Sequence, residues 1–255
     1  MTSQDKHKIE IMTQGGKILS RIMHDLVAAV TIGVSTAQIN DLANELCRKH
    51  GVKPAFLGYN GYPASLCASV NSVVVHGIPN TKPLKEGDLV GLDFGIIYRG
   101  YCLDCARTKY LGKPNKAIKT LIDVTQQSLD AAQLAIVPNQ SRVGNIGFAV
   151  ESLAKKNNLG LVRDLAGHGV GKKLQEEPSI PNYGRKGTGV ILKSGMTIAI
   201  EPMLTLGTSE VNINPDGWSV ITRDNSLSAH FEDTFAILSD KVVNLTADNV
   251  KPVDS

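Results

Sequence analysis

Long apolar runs, cysteine and net charge are all scarce in this 255-residue sequence, and each scarcity excludes a class of protein. No apolar run reaches the length of about 18 residues that a membrane-spanning helix needs, so the sequence predicts no membrane span. The mixed charges at the amino terminus predict no signal peptide. Four cysteines in a chain of this length indicate reduced thiols and not a disulfide framework, which predicts a cytoplasmic location.

The balance of charge excludes a further class. The chain has 27 Lys and Arg against 24 Asp and Glu, which leaves a net charge of +3. This excess is too small and too scattered to predict a specific nucleic-acid site.

Linker-like and low-complexity tracts are also absent, which favours a single domain over residues 1–255. Helical apolar spacing occurs in residues 35–51, 115–136 and 141–158. The first of these segments begins with a capping-box pair, Ser35 and Gln38, and ends at Gly51. Strand-like sequence occupies residues 55–108 and 190–238. Helices followed by antiparallel strands, twice, predict an α+β domain built from two similar halves.

The segment GDLVGLDFGIIYRGYCLDCARTKY predicts a β-hairpin with an aspartate on each strand. A turn at Tyr98 and Arg99, or a longer turn over 97–100, puts Asp93 directly opposite Asp104 with Cβ atoms roughly 5 Å apart. Two such carboxylates repel each other, and one divalent cation or a pair of cations would neutralise them. A β-bulge that shifts the register and leaves one aspartate in water is the alternative.

The same hairpin contains Cys102 and Cys105 in the CxxC spacing of some zinc and redox sites. Residues three apart in a strand face opposite sides, and the sequence has no second cysteine pair to complete a zinc site. We therefore expect two packed thiols.

Acidic residues also follow strand-like alternation in the second half of the chain. Glu201 is predicted to share a strand face with Thr197 and Ala199, and Glu232 to share one with His230 and Thr234. Either glutamate alone is typical of a salt-bridged edge residue, and His168 alone is typical of a satisfied polar residue. Two aspartates, one histidine and two glutamates together have the composition of an oxygen-rich binuclear metal site.

These residues belong to motifs that resemble the methionine aminopeptidases. The motifs are NSVVVHGIP, the pair of aspartates, GHGVG, IEPM and SAHFEDT, in the family's order and spacing. The resemblance covers residues 5–240, leaves 241–255 as a tail, and is to the short bacterial type I enzymes. It implies the pita-bread fold, an α+β architecture in which helices pack on the outer face of a pseudo-symmetric antiparallel sheet.

The resemblance also implies an activity, the removal of the amino-terminal methionine from new proteins whose second residue is small. It implies a bridging hydroxide between two divalent ions of cobalt, manganese, iron or a similar metal. The implied metal ligands are Asp93, Asp104, His168, Glu201 and Glu232, of which Asp104 and Glu232 bridge. Glu201 would move the proton of the attacking water, and His76 would hydrogen-bond near the scissile amide without binding metal.

Further positions match the family's substrate pocket and a weaker cation site. The implied methionine pocket consists of Tyr59, Tyr62, Cys67 and Trp218. Leu174 replaces the family's usual aromatic residue, and Phe56 stands where a small residue is common. The loop residues Asn71, Val73 and Ser228 match a site for a monovalent cation.

Gln175 departs from the family pattern, which has a substrate-contacting histidine at this position. Glutamine keeps a hydrogen-bond donor but cannot carry a proton or a positive charge. We therefore expect a functional but slower enzyme with a shifted pH profile. The glycines beside His168 are expected to let the backbone approach the metal.

Two other functions compete with this one. A proline-specific peptidase of the same fold usually carries an additional amino-terminal domain, and a non-catalytic binding relative usually lacks some of the metal ligands. The partners expected for a methionine aminopeptidase are the amino termini of nascent polypeptides, and the slight positive charge would favour a transient contact with the ribosome. We expect a monomer.

Overall fold

The computed structural model describes residues 1–247. Its helices are α1 (Ser3–Ala29), α2 (Thr36–His50), α3 (Lys116–Leu134) and α4 (Val143–Lys156). The strands of the first half are β1 (Lys53–Pro54), β2 (Cys67–Val70), β3 (Val73–Val75), β4 (Leu89–Tyr98) and β5 (Tyr101–Tyr110). Those of the second half are β6 (Gly160–Leu161), β7 (Ala166–Gly169), β8 (Glu176–Pro181), β9 (Thr197–Ile200), β10 (Met203–Thr205), β11 (Val211–Ile213), β12 (Val220–Thr222), β13 (Ser228–His230), β14 (Asp233–Ile237) and β15 (Val242–Asn244).

All three predicted helices are confirmed. Helix α2 begins after Ser35, which forms the predicted capping box with Gln38, and its carboxyl end is capped by Gly51 with φ of 66°. Asn115 caps the start of α3 by accepting a hydrogen bond from the backbone N–H of Ile118. Local capping and apolar spacing therefore determine these elements.

Helix α1 was not predicted, although it is the longest helix among the described residues. It begins with its own capping box, between Thr2 and Asp5. Its buried residues recur at helical spacing, and Gly16 lets it lie close to the end of the sheet, because a Cβ there would approach the backbone oxygen of Leu245 to 2.0 Å. The helix packs against β4 and β5.

Every strand pair in the four sheets of residues 1–247 is antiparallel. The first half centres on β4, which pairs with β1, β2 and β5, and the second half has a five-stranded sheet in the order β15-β14-β9-β7-β8. Each half buries its own hydrophobic cluster under two helices, α1 and α2 or α3 and α4. The halves join where Ala106 and Glu232 exchange two backbone hydrogen bonds of 3.1 Å, and where β3 pairs with β12.

The predicted register of the β4–β5 hairpin is wrong by two residues. The turn residues are Arg99 and Gly100, with φ of 47° and 82°, as in a type I′ turn. Asp93 therefore lies opposite Ala106, and Asp104 opposite Gly95. A shift of two residues preserves the strand face, so the two aspartates still point to one side as diagonal neighbours.

The two hairpin cysteines are packed thiols, as expected. Cys102 and Cys105 are both buried and free, with their Sγ atoms 4.0 Å from the backbone oxygen of Lys172 and 3.9 Å from that of Phe94. Burial raises the pKa of the Cys102 thiol to about 11. Both residues therefore contribute to the core as small apolar groups.

The segment predicted as a tail begins with ordered structure. Strand β15 pairs with β14, and Leu245 is buried against the first hydrophobic cluster. Strand β15 thus completes the edge of the large sheet. Residues 248–255 of the predicted tail lie outside the described residues.

Within residues 1–247, no helix has both the length and the apolar composition that crossing a bilayer requires.

Candidate metal centre and substrate pocket

The five predicted metal ligands meet at one cavity. Asp93 lies on β4, Asp104 on β5 and His168 on β7, and each comes from a different strand of the two joined halves. Glu201 directly follows β9, and Glu232 lies between β13 and β14. All five line a cavity of about 160 Å³. The side chain of Glu201 is 14% exposed and that of His168 10%, and the other three residues are at most 9% exposed.

Their donor atoms are close enough to share ions. A carboxylate oxygen of Asp104, a carboxylate oxygen of Glu232 and a ring nitrogen of His168 all lie within 4.8 Å of one another. The imidazole Nε2 of His168 is 3.7 Å from Oε1 of Glu201, and its Nδ1 is 2.9 Å from the backbone oxygen of Gly169. Because Nδ1–H donates to that carbonyl, the lone pair of Nε2 faces the cavity.

Burial of so many carboxyl groups is costly. Desolvation raises the pKa of Asp104 to about 7. Desolvation, reinforced by the neighbouring Asp104 carboxyl, raises the pKa values of Asp93, Glu201 and Glu232 well above their ordinary range. Within residues 1–247, Oδ1 of both aspartates and Oε1 of Glu232 have no hydrogen-bond partner. Divalent cations fit this set of residues, because hard cations bind buried carboxylate oxygens that lack other partners.

His230 is a site residue that the sequence reasoning missed. It was predicted to share a face with Glu232, which is correct, but it was not assigned to the site. Its Nε2 lies 3.7 Å from Oε2 of Glu201 and 3.8 Å from Oε2 of Glu232. Burial, with smaller effects of His76 and Arg107, lowers the pKa of His230 to about 3. The alternation that located Glu232 was the signal that could have found it.

Two threonines connect the aspartate hairpin to the second half at the site. The hydroxyl of Thr234 donates to the backbone oxygen of Asp104 at 2.9 Å and accepts from its N–H at 3.0 Å. The hydroxyl of Thr108 makes the same pair of bonds with His230, at 2.7 and 3.0 Å. The backbone of each site residue is therefore held from the opposite half.

The rest of the cavity wall is largely apolar. The four residues implied as the methionine pocket all line the cavity: Tyr59, Tyr62, Cys67 and Trp218. Phe56 and Leu174 line it as well. The rings of Tyr62 and Trp218 meet edge to face with centroids 5.1 Å apart. The Tyr62 hydroxyl donates to the backbone oxygen of Gly77 at 2.9 Å. The aromatic wall is thus fixed by packing and by a buried hydrogen bond.

His76 and Gln175 contribute the remaining polar groups of the cavity. The backbone of His76 has φ of 59°, a strained conformation that is found where the surroundings fix a side chain. Burial lowers the pKa of its imidazole, so the ring is neutral. Gln175 is exposed at the rim, and its Oε1 accepts a hydrogen bond from the Tyr59 hydroxyl at 3.5 Å.

The glycines beside His168 serve a different purpose from the expected one. A Cβ on Gly167 would lie 2.4 Å from the backbone oxygen of Ala199, and a Cβ on Gly169 would lie 2.3 Å from that of Glu177. The close approach is therefore to the two neighbouring strands, β9 and β8. These contacts position His168 within the sheet.

Gly167→Ala is expected to destabilise the protein by about 1–3 kcal/mol, because β7 and β9 must separate to admit the methyl group. Urea unfolding of the two proteins measures this difference. Gly91→Ala is the matched control, since its Cβ would have no neighbour closer than 3.7 Å. Equal unfolding midpoints for both variants would contradict the packing argument.

The three residues of the suggested monovalent cation site are also adjacent. The Ser228 hydroxyl donates to the backbone oxygen of Val73 at 3.1 Å and to that of Asn71 at 3.3 Å. Asn71 adopts φ of 60°, and its side-chain amide donates to Asp88. Two backbone oxygens from the β2–β3 turn and the start of β3 therefore meet the hydroxyl of Ser228 here.

Comparison with known proteins identifies the class. The sequence pattern of metallopeptidase family M24 matches residues 10–239. A methionine aminopeptidase from Clostridium acetobutylicum is 42% identical over 233 residues, which cover 91% of this chain and 92% of the relative. The crystal structure of a methionine aminopeptidase from Thermotoga maritima has a TM-score of 0.92 at 38% identity, covering 96% of this chain and 98% of that one. A prolidase from Pyrococcus furiosus shares the fold alone, with a TM-score of 0.76 at 22% identity over 95% of this chain and 64% of the prolidase.

The chain therefore belongs to metallopeptidase family M24. Its relatives at 38–42% identity are methionine aminopeptidases, as the motifs predicted. The prediction of a pita-bread fold is confirmed by these neighbours.

Proposed function

We propose that this chain is a metal-dependent hydrolase that removes the amino-terminal methionine from new proteins. The observation that carries the proposal is the convergence of five buried metal-binding side chains beside a mostly apolar pocket. An unbranched thioether suits a pocket walled by aromatic rings and by a buried cysteine. The family and its methionine aminopeptidase members support the same conclusion.

Two divalent cations would be held in this proposal by Asp93, Asp104, His168, Glu201 and Glu232. When bound, the cations supply Lewis-acid activation of the scissile carbonyl and of the attacking water. The carboxylate of Glu201 accepts a proton from that water, whose oxygen attacks the carbonyl carbon. The carbon–nitrogen bond then breaks, and Glu201 returns the proton to the leaving amine.

Two polar groups orient the substrate in this proposal. The neutral imidazole of His76 can donate one hydrogen bond and accept another, which suits an amide beside the scissile bond. Gln175, anchored through its oxygen by Tyr59, presents an amide N–H₂ group as a donor to the substrate carbonyl. Closing the pocket with Phe56 and Leu174 keeps water from the methionine side chain.

The substrates are polypeptides whose second residue is small. The natural ones are nascent chains in the cytoplasm, met by a monomeric enzyme in transient contact with the ribosome. The net charge of +3 supports attraction to the polyanionic ribosome, though a charge so small makes that contact weak. The converging oxygens at Asn71, Val73 and Ser228 support a monovalent cation that steadies the loop after β2.

Release of methionine from Met-Ala-Ser and Met-Leu-Ser tests the function. Metal-stripped protein is assayed with cobalt, manganese or iron added back, and a peptide with proline in second position and no amino-terminal methionine serves as the comparison substrate. We expect metal-dependent cleavage of the alanine peptide, with the leucine peptide much slower. Cleavage confined to the proline peptide would favour a proline-specific peptidase. Binding of metal without cleavage of any peptide would favour a non-catalytic relative.

Gln175→His is expected to raise turnover several-fold and to add an ionisation to the pH profile near the ordinary pKa of histidine. The imidazole can place a charged donor where the amide places a neutral one, and charge-assisted hydrogen bonds are about twice as strong as neutral ones. Plots of kcat/KM against pH for both proteins measure the effect. Gln140→His, at an exposed position away from the cavity, is the matched control. Unchanged turnover and an unchanged profile would exclude a role for this position in catalysis.

A further inference from the structure

His230 presents a buried nitrogen toward the metal-binding carboxylates. The residue is 3% exposed, and its Nε2 has no hydrogen-bond partner within residues 1–247. That atom nevertheless lies 3.7 Å from Oε2 of Glu201 and 3.8 Å from Oε2 of Glu232. A buried polar atom without a partner is costly, so its position calls for a physical explanation.

Neither neutral tautomer of His230 explains these distances by itself. A proton on Nε2 would have no hydrogen bond, because both carboxylate oxygens are beyond hydrogen-bond range. A proton on Nδ1 would point the lone pair of Nε2 at two ionised carboxylates, which is repulsive, or at two protonated ones whose oxygens, at 3.7 and 3.8 Å, are too distant to donate to it. A cation between the three atoms removes the repulsion, since all three would then be electron-pair donors to it.

The spacing of the donors is also close to that of ligands on one ion. Two donors bound to one ion at roughly 2.0–2.2 Å are separated by about 3.0–3.6 Å, depending on the geometry. One ligand atom each from Glu201, His230 and Glu232 lie within 4.8 Å of one another. The two distances from Nε2 of His230, 3.7 and 3.8 Å, lie just above the range for ligands on one ion.

Glu201 lies between two imidazoles in matching positions. Nε2 of His168 is 3.7 Å from its Oε1, and Nε2 of His230 is 3.7 Å from its Oε2. Glu232 belongs to both groups of donors, the one with His168 and the one with His230. The two groups therefore share a carboxylate and each has its own nitrogen donor.

We propose that Nε2 of His230 is a sixth protein ligand of the metal centre, bound to the cation that Glu201 and Glu232 also hold. The inference rests on the proposed dinuclear site and extends it, because it adds a second imidazole to the donors around Glu201 and Glu232. The double hydrogen bond from Thr108 fixes the backbone of His230 in the orientation that this requires. A second nitrogen donor shifts the preference of the site toward iron, cobalt or zinc and away from manganese.

Proton NMR of the protein loaded with two equivalents of cobalt(II) tests this assignment without an activity assay. Protons on an imidazole bound to cobalt(II) are displaced far outside the ordinary spectral range by the unpaired electrons. We expect two sets of displaced imidazole signals in the unaltered protein, one set in His230→Gln and one set in His168→Gln. His76→Gln is the matched control, and it should retain both sets because His76 lines the cavity outside the two donor groups.

A cobalt(II) competition titration provides the second measurement. His230→Gln is expected to weaken the binding of one of the two ions by about 10- to 100-fold, the range seen when the surroundings of a metal site are altered. A single set of displaced signals in the unaltered protein, lost in His168→Gln, would overturn the role of His230 while leaving the metal centre in place. An absence of displaced signals altogether would overturn the metal centre as well.

Discussion

Glu201→Gln is expected to lower kcat/KM for methionine release by about 100- to 10,000-fold, the usual contribution of a positioned acid–base group. Glutamine keeps the shape of the side chain but can neither accept the proton of water nor deliver it to the leaving amine. The carboxylate also lies 3.7 Å from Nε2 of His168 and 3.7 Å from Nε2 of His230, so the same change removes a charge from the centre of the site. Steady-state kinetics on Met-Ala-Ser measures the effect.

Metal content separates the two roles of Glu201. If the variant binds two equivalents of metal and remains slow, the loss lies in proton transfer; if it binds one, ligand loss contributes. Glu210→Gln is the matched control, because Glu210 is an exposed residue paired with Arg223 at the surface. An activity within tenfold of the unaltered enzyme at full metal content would rule out Glu201 as the group that moves the proton.

The metal-free protein is expected to lose thermal stability as the pH rises above 6.5, and divalent cations are expected to reverse that loss. The folded-state pKa of Asp104, about 7, lies above its ordinary value of 3.8, and those of Asp93, Glu201 and Glu232 are also raised. The folded protein therefore holds protons that the unfolded chain has released, so stability falls with rising pH.

The two buried histidines affect folding stability with the opposite pH dependence, and they do so at lower pH. Burial lowers the pKa values of His168 and His230 below their ordinary value of 6.5, so the unfolded chain binds more protons than the folded one below that pH. Their contribution rises with pH and levels off above 6.5, so the slope there is set by groups whose folded-state pKa is raised, the four carboxyl groups among them. The cleanest test is thus the range from neutral to mildly alkaline pH.

Melting curves with and without cobalt(II) or manganese(II) provide the measurement. At 100 times the dissociation constant, one bound ion stabilises by about 2.7 kcal/mol. That corresponds to an increase in Tm of roughly 5–10 °C for a chain of this size. Asp104→Asn should flatten the slope of the metal-free protein, and Asp123→Asn, at a half-exposed residue paired with Lys119 on helix α3, should not. A metal-free Tm that rises from neutral to alkaline pH would contradict the assigned pKa shifts.

The elements that the sequence predicts well are those governed by local rules. Ser35 with Gln38, and Gly51 at the other end, determine the limits of α2 without help from the rest of the chain. Strand alternation singled out Glu201 and Glu232, and both line the cavity. The motifs of a known family then supplied the donor set that spacing alone could not assemble from distant strands.

The elements that were missed depend on tertiary contacts or on unusual backbone conformations. The hairpin turn uses Arg99 with positive φ, which its side chain does not favour, so the two-residue error in register had no local warning. The need for Gly167 arises from Ala199, a residue on another strand far along the chain. Strand β15 is defined by its pairing with β14, and its own short sequence gives little indication of a strand.

The division of the donors between the halves has a consequence for how the enzyme matures. The first half supplies Asp93 and Asp104, while the second supplies His168, Glu201 and Glu232, so the halves resemble each other in architecture but are not interchangeable in chemistry. Neither half alone supplies all five of the proposed donors. During synthesis, the chain emerges with the two aspartates first, and Glu232, which follows β13, comes last. Metal binding at the proposed site therefore requires both halves to be folded together.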